Sequence, residues 1–274
     1  MNSLEYFSLF LGRLRRAAIG GLLLMVGLMT IAHGDESPDY EREARLAEQI
    51  VDDIFDGEPV WLEANEHSFL AIHTLTEDEP KGSVVILHGR GYHPDWPEVA
   101  GPLRVGLVDA GWSTLSVQMP VLEKGKKYFD YLPLFQYAHQ RIEASIHFLR
   151  EQSEQPVILI AHSCGAHMAN DWLNNNDDTL IDGYVILGAG ATDYKQEMQT
   201  GFPFANMRVP ILDLYGANEF PRPMAMLPER KELLKQGGNT QSLQQHLAGA
   251  DHYFHDSGPG LTQAVADWLN TTDF

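Results

Sequence analysis

Five short apolar runs, most of them separated by a helix-length segment, limit most strongly what this chain can fold into. They are Val84–Leu87, Thr114–Val117, Val157–Ala161, Tyr184–Leu187 and Ile211–Tyr215. Helical patterning lies near 97–110, 136–151, 164–174 and 222–236, and is clearest where Ile142, Ile146 and Leu149 fall at i, i+4 and i+7. Strands apolar along their whole length are buried on both faces. Alternating with helices, they predict an α/β fold with a mostly parallel central sheet and helices on both faces. Two earlier stretches, Val60–Glu63 and Phe69–Thr76, have no helix between them and predict an antiparallel N-terminal edge. A last strand near Gln244–Leu247 precedes a helix with Leu261, Val265, Trp268 and Leu269 on one face.

The first 34 residues are organised differently. Arg13, Arg15 and Arg16 precede an uncharged run from Ala17 to Ala32, and Ala32-His33-Gly34 offers small residues where a signal peptidase reads. That order is the pattern of a secretory signal peptide over 1–34, and it predicts an exported, periplasmic or secreted protein. An uncleaved anchor is the alternative, but the run of sixteen residues is short of the ~20 needed to cross a hydrocarbon core. After cleavage, 35–56 reads as an amphipathic helix with Leu46, Ile50, Ile54 and Phe55 at helical spacing, and 57–274 as one α/β domain. Loss of three arginines and Glu5 takes the formal charge from −19 to about −21. So acidic a surface disfavours nucleic acid and anionic headgroups as partners, and no stable membrane insertion is expected after cleavage. The single cysteine, Cys164, excludes an intramolecular disulfide.

Chemistry enters at Pro156–Ala169. The buried strand runs straight into Ser163, and a segment rich in small residues begins directly after it. A serine on so tight a strand-to-helix turn needs small neighbours at −2 and +2, because bulk there would strike adjacent strands. Ala161 and Gly165 meet that need, and no other serine in the chain has both a small residue at −2 and glycine at +2. A serine that merely caps a helix is the bland reading. Cys164 has His162 and Ala166 at the corresponding positions, so its expected part is to lend a backbone N–H to an oxyanion hole.

On these residues the chain resembles the α/β-hydrolase superfamily, over nearly all of 57–274. Gln118-Met119-Pro120 and the stretch from Tyr131-Leu132-Pro133 to Arg141-Ile142 look more closely like an uncharacterised family of exported bacterial α/β-hydrolase-like proteins. The resemblance implies a second oxyanion donor in the loop after Leu87-His88-Gly89, with Arg90 the first choice and Gly91 close behind. It implies a catalytic histidine between the last strand and the last helix, where Asp251-His252-Tyr253 stands. It implies an acid after the strand at Ile211–Tyr215, where Gly216-Ala217-Asn218-Glu219 departs from the commoner aspartate. Asp213 and Asp193 are the alternative acids. Ser163, Glu219 and His252 follow the order nucleophile, acid, histidine of this superfamily.

Other constellations are weaker. His162 with His167, and His252 with His255, have no carboxylate-rich partner motif, so no metal site is expected. No glycine-rich phosphate loop follows a strand, and no cofactor is expected. Met198, Phe202, Phe204 and Met207 suit either a lid over the site or ordinary core, and Arg90 either a bound anion or plain solvent. Lys124, Lys126 and Lys127 form a local basic patch that suits either a solvated loop or an anionic partner. The sequence therefore predicts a carboxylesterase-like serine hydrolase acting on a small-molecule or acylated substrate, an ester or thioester. The rival is a non-catalytic envelope scaffold that keeps the fold, and the separation of Ser163 from His252 discriminates the two.

Overall fold

The computed structural model describes residues 37–274, which form one compact unit. The expected signal peptide at 1–34 lies outside the described residues. In chain order the elements begin with α1 (Tyr40–Ile50), β1 (Glu58–Ala64), β2 (His67–Thr74), β3 (Gly82–Leu87), α2 (Ala100–Asp109) and β4 (Trp112–Val117). The short α3 (Tyr128–Tyr131), then α4 (Phe135–Arg150), β5 (Val157–His162), α5 (Cys164–Asn175) and β6 (Gly183–Leu187) come next. The chain closes with β7 (Ile211–Asn218), α6 (Pro221–Ala225), α7 (Leu227–Gly237), β8 (Leu243–Asp251) and α8 (Gly258–Thr271).

One sheet of eight strands in the order β1-β2-β4-β3-β5-β6-β7-β8 joins them. β2 runs antiparallel to both its neighbours, and every pair from β4 through β8 is parallel. The alternation of the apolar runs is resolved by side-chain period. Val85, Leu87, Leu159, Ala161 and Ile186 face one core with α4 and α5. Val84, Ile86, Ile158, Ile160, Val185 and Leu187 face the other with α2 and α8. β3, β4, β5 and β6 are buried at every residue, as strands covered on both faces must be.

Three local expectations are corrected. The helix expected over 35–56 ends at Ile50, followed by a single 3-10 turn through Asp53. Its buried residues are Glu43 and Ala47, while Phe55 is exposed; an ion pair described below, not an apolar stripe, seats it. The helix expected over 222–236 divides at Met226, because Pro228 has no N–H to donate and belongs in a first turn, so a new helix starts at Leu227. Of the suspected lid, Phe202, Phe204 and Met207 are buried in the core beside α5, and Met198 packs against it. They are core, and no lid is made from them.

Candidate active site

β5, β7 and β8 end on the same side of a parallel sheet, so the residues that follow them meet there. Ser163 follows β5 directly and adopts φ 53°, ψ −113°, a conformation disfavoured for any residue with a Cβ. Its N–H donates to the Leu187 carbonyl at the end of β6 (3.1 Å), which anchors the turn. The need for glycine at +2 is steric. A Cβ at 165 would stand 2.6 Å from the His88 carbonyl oxygen and 2.9 Å from that of Leu87.

The Ser163 hydroxyl lies 2.9 Å from His252 Nε2. His252 Nδ1 lies 2.8 and 2.9 Å from the two carboxylate oxygens of Glu219. A carboxylate only accepts, so Nδ1 carries a hydrogen, and in the neutral imidazole Nε2 is then the acceptor that faces the serine. Glu219 Oε1 also accepts from the Phe220 N–H at 2.7 Å. β7 and β8 approach closely beside the pair, and a Cβ on Gly216 would stand 2.5 Å from the carbonyl oxygens of Ala250 and Asp251, so this position requires glycine. Gly188, at φ 60°, lies under the pair, and a Cβ there would reach 3.1 Å from His252 Nδ1 and 3.2 Å from Glu219 Oε2. The sequence reading missed Gly188. A glycine directly after a buried strand was the available signal.

The alternative acids are placed elsewhere. Asp213 is fully buried on Arg230, with Nε to Oδ2 at 2.8 Å, and accepts from Gln244. Asp193 binds the Arg90 guanidinium, accepts from the Tyr128 N–H (2.7 Å) and lies near Lys127 (3.5 Å). Burial works to raise the Asp193 carboxyl, but the Arg90 bond, the Tyr128 N–H and both cations outweigh it and hold the group below the usual range. Each of these carboxylates already neutralises an arginine.

A pocket of about 350 Å³ opens over Ser163 and His252, with Tyr92, Tyr128, Tyr194, Phe220 and Tyr253 in its walls and the Arg90–Asp193 pair at its edge. Of the expected oxyanion donors, Arg90 and Cys164 line it, whereas Gly91 lines a neighbouring hollow. Gly91 sits at φ 73° with its carbonyl accepting from Arg42 Nη2 at 3.0 Å, and this turn takes it out of the pocket. Among the described residues the N–H groups of Arg90 and Cys164 donate to no protein acceptor. Burial pushes the Cys164 thiol up to about 12, beyond what the Arg90 charge offsets, so it is no thiolate nucleophile at neutral pH.

The loop that carries Arg90 is held from beneath. His88 Nδ1 donates to the Gly89 carbonyl (2.7 Å), while Nε2 accepts from the Met119 N–H (2.9 Å) and the Gln118 amide (3.0 Å). Arg141 donates to the Gln118 carbonyl (2.9 Å) and to Glu43 (2.8 Å), whose other oxygen accepts from the Val121 N–H. The motif residues Gln118 and Arg141 thus belong to one buried network with His88 and the first helix. Three histidines are kept neutral by burial: His88 and His162 are pushed down to about 3, and His167 to about 4. His162 Nε2 donates to the His252 carbonyl (3.0 Å), so it braces the backbone of the site histidine. No group of His, Cys, Asp and Glu arranged to hold a metal exists among the described residues, and no helix among them is long and apolar enough to cross a membrane.

Comparison with known proteins places the fold. An α/β serine hydrolase homologue from Coxiella burnetii is 16% identical with a TM-score of 0.57, over 80% of this chain and 99% of its own. A serine hydrolase described as lacking a lid, from Xanthomonas campestris, is 13% identical with a TM-score of 0.60, over 79% and 94%. Dienelactone hydrolase from Anabaena variabilis is 16% identical with a TM-score of 0.58, over 78% and 97%. At such identities the likeness is one of fold. No curated protein matches the chain in sequence. Residues 30–128 and 134–271 match a family described as protein of unknown function, DUF3530, so the chain belongs to that family and carries the α/β-hydrolase fold.

Proposed function

We propose that this protein is a serine hydrolase that cleaves an ester or thioester through an acyl-enzyme. The observation that carries the reading is the continuous hydrogen-bonded line from Ser163 Oγ through His252 to Glu219, beneath an open pocket. Ser163 Oγ attacks the acyl carbon while its proton passes to His252 Nε2. The carbonyl electrons move to oxygen, where the N–H groups of Cys164 and Arg90 receive the negative charge; one such donor contributes ~10²–10³ in rate. Collapse breaks the bond to the leaving alcohol or thiol, which takes the proton from His252. Water then repeats the sequence on the acyl-enzyme, leaving its proton on His252, and releases the acid with Ser163 reprotonated. Glu219 holds the imidazole in the required tautomer and offsets the charge of the imidazolium. The scheme uses side chains and backbone N–H groups of this chain together with water, and no cofactor enters it.

The non-catalytic scaffold draws no support from a serine and histidine at hydrogen-bond distance. Export follows from the pattern of 1–34, and the proposed mature chain begins at Asp35, which N-terminal sequencing of the protein recovered from an envelope fraction tests. For the reaction, the test is labelling by a fluorophosphonate of the wild type, Ser163→Ala and His252→Ala. Labelling that requires both residues supports the reading. A folded wild type that stays unlabelled overturns it.

A further inference from the structure

Lys124, Lys126 and Lys127 stand close together in a chain of formal charge −19. In the fold this loop walls a second hollow of about 490 Å³, to which α1 contributes Arg42 and the loop after β3 contributes Arg90. The carboxylate of Glu123 alone among the described acidic side chains lines it. Arg90 and Lys127 share Asp193. Among the described residues Arg42, Lys124 and Lys126 have no carboxylate at ion-pair distance. The Arg42 guanidinium is fixed instead by the carbonyls of Leu122 and Gly91. Carbonyls orient a guanidinium but leave its charge uncancelled. Arg42, Lys124 and Lys126 thus stand unpaired around one hollow, beside the two cations that share Asp193, and such a concavity focuses the field on an anion that enters it. The arrangement is local and runs against the charge of the whole molecule.

The second hollow shares Arg90 and Tyr92 with the pocket over Ser163. A substrate whose acyl carbon rests at Ser163 therefore passes these two side chains to reach the cations. Tyr92 is stacked on Trp96 with ring centroids 3.8 Å apart, which gives that passage a firm apolar wall. We propose that the second hollow is an anion subsite: the substrate is an ester or thioester bearing a carboxylate, phosphate or sulfate away from the scissile bond, and Arg42, Lys124 and Lys126 bind that group. The inference rests on the serine-hydrolase reading and narrows its substrate class.

Paired esters that differ only in charge test it. One pair is para-nitrophenyl hemisuberate and its methyl ester, with the charge on the acyl side. The other is para-acetoxybenzoate and its methyl ester, with the charge on the alcohol side. Both pairs are assayed with wild type, with Lys124→Gln/Lys126→Gln, and with Lys231→Gln/Lys235→Gln. The last variant makes an equal charge change beside a different hollow. At low salt the anionic member of at least one pair is expected to show kcat/KM roughly tenfold above its neutral partner. That preference should fall toward one in Lys124→Gln/Lys126→Gln and in ~0.5 M salt, where screening is short-ranged, and persist in the control. Because the readout is a ratio, a partly unfolded variant lowers both members and leaves it unchanged. No preference in a wild type whose Ser163 reacts with fluorophosphonate overturns the subsite and leaves the hydrolase. Equal loss in both variants assigns the effect to net charge and also overturns it. The absence of both labelling and hydrolysis removes the hydrolase reading, and the subsite with it.

Discussion

Two buried arginines, Arg141 and Arg230, brace different segments of the fold in different ways. On the oxyanion side Arg141 donates to Glu43 and to the Gln118 carbonyl, lies over the Phe69 ring at 5.1 Å, and leaves both Glu43 oxygens partnered. On the acid side Arg230 donates to Asp213 and to the Ala189 and Pro223 carbonyls, and lies over Phe202 at 5.6 Å. There Arg230 Nη2 and Asp213 Oδ1 are buried without a hydrogen-bond partner among the described residues. Both pairs remove charge from water at a cost of several kcal/mol per ion, which is recovered only through well-satisfied geometry. The first pair joins α1 to α4 and both to the loop after β4, so its value lies in connecting distant segments. The second pins α7 to the segments on either side of Glu219, and its unfinished bonds make it the less stabilising of the two.

The largest expected effect separates chemistry from support on the acid side. Glu219→Gln keeps the shape but can donate toward His252 Nδ1 and so favours the wrong tautomer. Its kcat should drop about 10⁴-fold, while Glu219→Asp keeps part of the activity. A Glu219→Gln variant within tenfold of wild type would mean that the carboxylate does not orient the base.

Next in size is the contrast between the arginines themselves. Glu43→Leu with Arg141→Met unties α1 from the loop after β4 and should cost ~1–3 kcal/mol in urea unfolding, whereas Asp213→Leu with Arg230→Met also removes two unsatisfied buried atoms and should cost less or be near neutral. Equal losses in the two double variants would mean that the two pairs stabilise the fold alike.

Acid should then loosen both flanks. His88 and His162 titrate near 3 and His167 near 4 in the fold, against an ordinary 6.5. Between those values the unfolded chain binds more protons, so stability is fully present above about pH 6.5 and is lost as pH falls toward 4. Each histidine withdraws on the order of 1.4 kcal/mol per pH unit in that window. Melting temperatures from pH 7.5 to 4.5 check this, and a flat profile over that range contradicts it.

The smallest effect is local. Gly188→Ala and Gly249→Ala both place a Cβ at positive φ, at ~1–2 kcal/mol. Only the first also crowds His252, since a Cβ at Gly249 meets nothing within 4 Å. Gly188→Ala should melt somewhat below Gly249→Ala and alone lose turnover; equal activity would remove Gly188 from the site.

How much of this was legible depends on range along the chain. The sheet was readable because strands buried on both faces are apolar at every position, a pattern that survives without neighbours. Ser163 was readable because a strained turn demands small residues within two positions, and His252 and Glu219 because each stands just past a strand end. Which of Glu219, Asp213 and Asp193 meets His252 could only be ranked from the resemblance, which put Glu219 first, since all three follow or lie within strands of the sheet. It was decided by which arginine each carboxylate meets: Asp213 finds Arg230 seventeen residues on, and Asp193 finds Arg90 at a separation of 103. Glu43 lies 98 residues from Arg141, and no local period announces such a pair. Backbone sterics and side-chain burial are imposed residue by residue, so the sequence by itself determined the elements and the turn that presents Ser163. Ion pairs, the retreat of Gly91 from the pocket and the gathering of cations around the second hollow exist only once distant segments share space, and only the tertiary structure decided them.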